Sequence, residues 1–145
     1  MSNQIFVVGT PRSGTSLTAD ILNNHSNVLC GGELHYYDSK LSKGPWPKTK
    51  IDDLMHLYAK FSQFEDQKRI ENNFPEIKNS LLFTSRAELL ESFMKSQAIL
   101  ENCSIWGNSV PRDIFNWREI KNDFPEAKFI VCIRNPFDFM ASYKN

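Results

Sequence analysis

Two uninterrupted apolar runs, residues 5–8 (Ile5-Phe-Val-Val8) and 129–133 (Phe129-Ile-Val-Cys-Ile133), stand out along a chain whose other hydrophobic positions are spaced or scattered. Short runs rich in β-branched and aromatic residues suit strands covered on both faces, as in a parallel sheet, because a strand with one wet face alternates instead. The first run ends at Gly9 and the second, starting at Lys128, at Arg134-Asn135-Pro136. Both are expected as buried strands. After the loop 9–13, residues 14–24 place Leu17, Ile21 and Leu22 at helical spacing until Asn23-Asn24-His25-Ser26-Asn27 breaks the pattern. Val28-Leu29-Cys30 then predicts a second strand, closed by Gly31-Gly32, which puts Glu33 just past a strand end.

Residues 36–50, interrupted by Gly44-Pro45-Trp46-Pro47, predict a surface loop, and 51–64 a helix with Ile51, Leu54, Met55, Tyr58 and Phe61 on one stripe. Ser85-Arg-Ala-Glu88 is a capping-box pattern ahead of Leu89, Leu90, Phe93, Met94 and Gln97, so a further helix runs to about Leu100. Residues 105–107 read as a third short strand, and 114–123 as a helix stopped by Phe124-Pro125. A last helix opens at Pro136, with Asn135 as cap and Asp138 at the third position. Strands alternating with helices predict an α/β fold with a parallel β-sheet, whose ligands lie beyond the carboxyl ends of its strands.

The chain's 145 residues suit one domain, and its 11 Phe, 4 Tyr and 3 Trp supply a core. Seventeen Lys and Arg balance 17 Asp and Glu, which argues against nucleic acid as a partner. No apolar run approaches the roughly 20 residues of a membrane span, and no leader pattern precedes the first strand. A cytoplasmic location is the expectation. Cys30, Cys103 and Cys132 have no short spacing, so reduced thiols are expected rather than a disulfide framework or a zinc site.

Gly9-Thr-Pro-Arg-Ser-Gly14-Thr15-Ser16 has the glycine spacing of a phosphate-binding P-loop, set between a strand and a helix as that motif requires. Backbone N–H groups of such a loop and of the first helical turn converge on an anion, and the hydroxyls of Ser13, Thr15 and Ser16 add donors. An NTPase needs Lys at position 15 and an acid at a strand end to support magnesium. Here Thr15 stands at the first place and the cation Arg134 ends a buried strand, a combination suited to a ligand with two anionic ends and no metal.

With these two segments the chain resembles the sulfotransferases that use 3′-phosphoadenosine 5′-phosphosulfate (PAPS), closest to the tyrosylprotein and bacterial branch. Pro11-Arg-Ser-Gly-Thr-Ser16 matches the family's 5′-phosphosulfate loop. Residues 129–142, with Arg134 and Ser142, match its 3′-phosphate motif; Asn27-Val-Leu-Cys-Gly-Gly-Glu33 and, more loosely, 106–128 also align with it. The resemblance implies a P-loop-like three-layer sandwich over residues 1–145, shortened at the carboxyl end relative to the usual family domain. It implies sulfuryl transfer from PAPS to a hydroxyl or amine acceptor, leaving 3′,5′-adenosine bisphosphate, without a metal. By the same resemblance Arg12 binds the phosphosulfate and steadies the leaving phosphate, Ser13, Gly14, Thr15 and Ser16 hold the 5′-phosphate, Arg134 and Ser142 grip the 3′-phosphate, and Glu33 is the general base.

His35 is a second possible base, and an ion pair with Asp138 is the plain structural alternative for Arg134. Related enzymes carry Trp-x-x-Lys-x-Pro where this chain has Trp106-Gly-Asn-Ser109-Val-Pro111, so the lysine that helps the transferring group is replaced by Ser109, with Arg112 the nearest substitute cation. A P-loop nucleotide kinase and a catalytically idle PAPS-binding module remain the competing functions. The acceptor's identity and the oligomeric state are not legible in the residues.

Overall fold

Four strands form one all-parallel sheet: β1 (Gln4–Gly9), β2 (Val28–Gly31), β3 (Ile105–Ser109) and β4 (Lys128–Cys132), in the order β2-β3-β1-β4. They come from a computed structural model that describes residues 3–38, 72–73, 83 and 85–142. The helix expected over 51–64 and the loop segment carrying Trp46 lie outside the described residues. The α/β class with a parallel sheet flanked by helices is as expected.

The apolar run of the first strand ends up in the middle of the sheet for the reason its composition suggested. Phe6, Val7 and Val8 are at most 1% exposed, with β3 on one side (Ile5 beside Gly107) and β4 on the other (Val7 beside Ile130). Successive side chains point to opposite faces. Val7 joins Ala19, Leu22, Cys30, Ile130 and Cys132 beneath α1 (Thr15–Asn23). Phe6 and Val8 face the larger cluster built by α2 (Arg86–Leu100), α3 (Trp117–Asp123), Trp106 and Phe124. The Phe6 ring meets Trp106, Phe129 and Phe124 at centroid separations of 5.7, 5.6 and 6.0 Å. Helices on both faces of a sheet make three layers. α2 opens as its sequence dictates, with the Ser85 hydroxyl accepting from the Glu88 amide at 3.1 Å, a cap that stabilises by about 1 kcal/mol.

Three expectations are corrected. Leu17 and Ile21 are 64% and 62% exposed, while Thr15, Ala19 and Leu22 face the sheet. At about 100° per residue, positions 15, 19 and 22 share one narrow stripe and 17 and 21 fall opposite it. β4 is not covered on both faces: Val131 is 49% exposed, because β4 is an edge strand paired only with β1 among the described residues. The helix expected from residue 114 begins earlier, as a 3-10 helix (Pro111–Asn116) set by Pro111 in its first turn, and becomes α-helical only at Trp117.

The last helix, α4 (Pro136–Ser142), starts where its sequence placed it, with the Asn135 side chain accepting from the Phe137 amide at 2.9 Å. The loops at the carboxyl ends of β1, β2, β3 and β4 therefore share one edge of the sheet, and the motif residues lie on them or on the helices that follow, Thr15 and Ser16 opening α1 and Ser142 closing α4.

Candidate functional site

Gly9 takes the chain out of β1 so close to the end of β4 that an added Cβ would lie 2.4 Å from the Cys132 carbonyl oxygen and 2.8 Å from the Ser13 hydroxyl. Only a residue without a side chain fits there. The chain then turns sharply, with the Ser13 amide donating to the Thr10 carbonyl at 3.1 Å. Arg12 adopts φ 64° and Gly14 φ 99°, both in the left-handed region. Left-handed residues within a tight turn swing successive N–H groups into a shared concavity that attracts anions. Gly14 is also the N-cap of α1, and no side chain caps that end. The free N–H groups of the first turn and the helix dipole thus remain available to a ligand. Thr18 ties the helix down by donating to the Gly14 carbonyl at 3.0 Å and lying 3.3 Å from the Cys132 sulfur.

In front of this turn lies a crevice of about 390 Å³, lined by Pro11, Arg12, Gly14, Thr15, Ser16, Glu33, Pro111 and Arg134. Six of the eight residues singled out from sequence meet there, drawn from the ends of three strands. Two guanidinium groups face one carboxylate across it, so the lining favours an anion. Arg134 makes no ion pair with Asp138; instead its Nη1 donates to the Arg12 carbonyl oxygen at 3.2 Å. The other two residues do not line the crevice. The Ser13 hydroxyl is buried without a hydrogen-bond partner, and Ser142 closes α4, half-buried.

Glu33 is 43% exposed and its Oε2 lies 3.2 Å from His35 Nε2. His35 Nδ1 is 3.6 Å from Asp38 Oδ2, and Arg112 Nε approaches the same oxygen at 3.6 Å. His35 is therefore partnered rather than simply solvated, and Arg112 is spent on Asp38 outside the crevice, not in the place of the missing lysine. Glu33 and Ser16 also border a second hollow of about 160 Å³, reaching Asp20, Asn23, Cys30 and Ser109.

Asn108 was missed by the sequence reading. It sits in β3 beside Gly31 of β2 and is 1% exposed. Its Oδ1 accepts from the Leu34 amide at 3.1 Å and its Nδ2 donates to the Leu34 carbonyl at 3.0 Å. The signal was an amide side chain in a strand that was expected to stop at Gly107. Next to it, the buried Ser109 hydroxyl donates to the Thr15 carbonyl at 3.3 Å.

Two ionisable groups near the site are perturbed. Burial, and secondarily the charge of Asp20, pushes the Cys30 thiol up to about 12. Asp113, fully buried in the 3-10 helix, is pushed up to about 7 by burial, helped by the charges of Asp38 and Glu119. The Asn116 amide opposes the shift, without closing a hydrogen bond to either carboxylate oxygen. Among the described residues no three His, Cys, Asp or Glu side chains gather as metal ligands would, and no helix is long and apolar enough to cross a membrane.

A protein-family model described as the sulfotransferase family matches residues 4–145. No curated protein matches the chain.

Proposed function

We propose that this chain, which belongs to the sulfotransferase family, binds PAPS in the crevice beyond the carboxyl end of β1 and transfers its sulfuryl group to a hydroxyl or amine acceptor without a metal. The carrying observation is that Arg12 and Arg134, from opposite ends of the chain, line one crevice with Glu33 and the uncapped start of α1. Two anionic ends of one donor need two separated cationic or N–H-rich seats, and these residues offer them.

The residues fit such a donor on several counts. The N–H groups at Gly14, Thr15 and Ser16 suit the 5′-phosphate, and the partnerless Ser13 hydroxyl buried behind them becomes a donor after a change of rotamer. Arg134 exposes donors beyond the one given to Arg12, and a guanidinium forks over two phosphate oxygens. Ser142, outside the crevice lining, completes that grip only if α4 adjusts.

PAPS supplies a sulfuryl group on a phosphate that leaves readily. For transfer, the acceptor oxygen or nitrogen forms a bond to sulfur as the bridging S–O bond breaks, and the acceptor's proton passes to the Glu33 carboxylate. His35, against Glu33 Oε2, holds that carboxylate in one orientation. Arg12 offsets the charge that collects on the departing phosphate, a role whose removal costs about 3 to 4 kcal/mol of barrier in comparable sites. An acceptor can approach Glu33 from the second hollow, which shares its wall. The cytoplasm is the compartment we propose.

Calorimetric titration with 3′,5′-adenosine bisphosphate, 5′-AMP and Mg-ATP tests the donor assignment. Preference for the bisphosphate is expected, whereas preference for Mg-ATP would turn the reading to a nucleotide kinase. Turnover of PAPS by the wild type and a steep but measurable fall in Glu33→Gln test the chemistry; a wild type that binds the bisphosphate yet never turns over is an idle binding module.

A further inference from the structure

We propose that the consecutive residues Asn108 and Ser109 at the end of β3 are a positioning pair that fixes the distance between Glu33 and the phosphate loop. The proposal rests on the reading of Glu33 as the base and extends it to residues that do not touch the reacting atoms.

Neighbouring side chains of a strand leave by opposite faces, and here both are buried and both end on backbone. Asn108 binds the amide and the carbonyl of Leu34 together, at 3.1 and 3.0 Å. It acts as one more rung of the sheet where β2 has already ended. The Leu34 amide also donates to the Gly32 carbonyl at 2.8 Å, and the Leu34 carbonyl also accepts from the Tyr36 amide at 2.7 Å. The Leu34 side chain is 3% exposed in the core. With Leu34 fixed at backbone and side chain, Glu33 before it is turned out toward the crevice. From the other face Ser109 binds the carbonyl of Thr15 at 3.3 Å, the first residue of α1. One strand end thus holds the base-bearing segment with one residue and the anion-binding turn with the next.

This also assigns a role to the departure at position 109. The resemblance places a lysine there, whereas the serine hydroxyl is turned into the protein and spent on the loop's backbone. Its contribution is geometric, and reaction geometry is steep: misplacing a group by about 1 Å costs on the order of a hundredfold in rate.

The test compares wild type, Glu33→Gln, Asn108→Asp and the double variant, with Ser109→Ala as a milder probe from the other face. The aspartate keeps the shape of the clamp and loses the donor to the Leu34 carbonyl. Read-outs are bisphosphate affinity by calorimetry, PAPS turnover with 4-nitrophenol and with an alkyl amine, and hydrogen exchange at the Leu34 amide. Asn108→Asp is expected to lower kcat about ten- to hundredfold, to leave bisphosphate affinity within about twofold, and to leave the Leu34 amide, whose acceptor it keeps, slow to exchange. In the Glu33→Gln background it should lower kcat no further, since a purely structural defect would slow both backgrounds alike. Equal slowing in both, or no slowing in Asn108→Asp, would overturn the positioning role. Full turnover by Glu33→Gln would instead remove the base, and the proposal with it. If Asn108→Asp does not fold, Ser109→Ala carries the same comparison.

Discussion

Arg134 Nη1 donates to the Arg12 carbonyl oxygen at 3.2 Å, so the cation at the end of β4 braces the left-handed turn at the end of β1. One guanidinium then has two tasks, supporting the loop and presenting its remaining N–H groups to the crevice. Replacing Arg134 by Ala is expected to weaken 3′,5′-adenosine bisphosphate about ten- to hundredfold, the value of hydrogen bonds to a charged group, and 5′-AMP much less. Calorimetry on both ligands checks it; a variant that still discriminates between them would remove Arg134 from the 3′-phosphate. Arg134→Lys should fall between, because an ammonium keeps the charge and loses the fork.

The two glycines of the loop are required for different reasons, and their alanine variants should separate. At Gly9 the new Cβ meets the Cys132 carbonyl oxygen at 2.4 Å, and that carbonyl belongs to the residue paired with Gly9 in the sheet. Backbone must move, at a cost of about 3 kcal/mol or more. At Gly14 nothing lies within 4 Å and only the φ of 99° resists, worth about 1 to 2 kcal/mol. Urea unfolding of Gly9→Ala and Gly14→Ala should rank them in that order, and Gly14→Asn should lose less than Gly14→Ala because Asn tolerates the left-handed region.

Much of this site could be read from the sequence because each of its parts is local. The run of residues 5–8, the spacing of Gly9 and Gly14, and Arg134 at the end of an apolar run are visible within windows of about ten residues, and in the fold they become a central strand, a tight turn and a strand end beside one crevice. Relations between distant segments were not legible. Nothing near Asn108 in sequence announces Leu34, which lies on another strand's exit. The ion pair of Arg112 with Asp38 depends likewise on how the 3-10 helix meets the segment after β2. The errors about Leu17, Ile21 and β4 share one cause: hydrophobicity marks what is able to be buried, whereas burial depends on which face an element offers and on what covers it.

Cys30 lines the second hollow yet should be chemically silent. The thiolate is the reactive form, and burial with the Asp20 charge pushes its pKa up to about 12, leaving about one thiol in ten thousand ionised at pH 8. Iodoacetamide at pH 8, followed by peptide mass analysis, should modify the half-buried Cys103 and Cys132 well before Cys30. Guanidinium should abolish the difference. Cys30 labelled as fast as the others in the native protein would contradict the burial account.

Asp113 should give the fold a pH dependence opposite to that of a salt-bridged carboxylate. Its pKa rises from 3.8 to about 7 on folding, so between about pH 4 and pH 7 the folded state binds more protons than the unfolded one. Stability contributed by this group is therefore greatest at low pH and falls as pH rises through that window, then stays level above it. The ceiling is about 4 kcal/mol, at 1.36 kcal/mol per pKa unit, reduced by whatever local relaxation admits water. Asn in its place keeps the shape and cannot ionise. Asp113→Asn should accordingly be more stable than wild type at pH 8, with the gap closing toward pH 5. Taking the difference between the two proteins cancels the ionisable groups that both share. Urea unfolding at pH 5, 6, 7 and 8 checks it; a gap that stays constant or widens toward acid would mean that Asp113 is ionised in the fold at neutral pH and that its charge has found a partner.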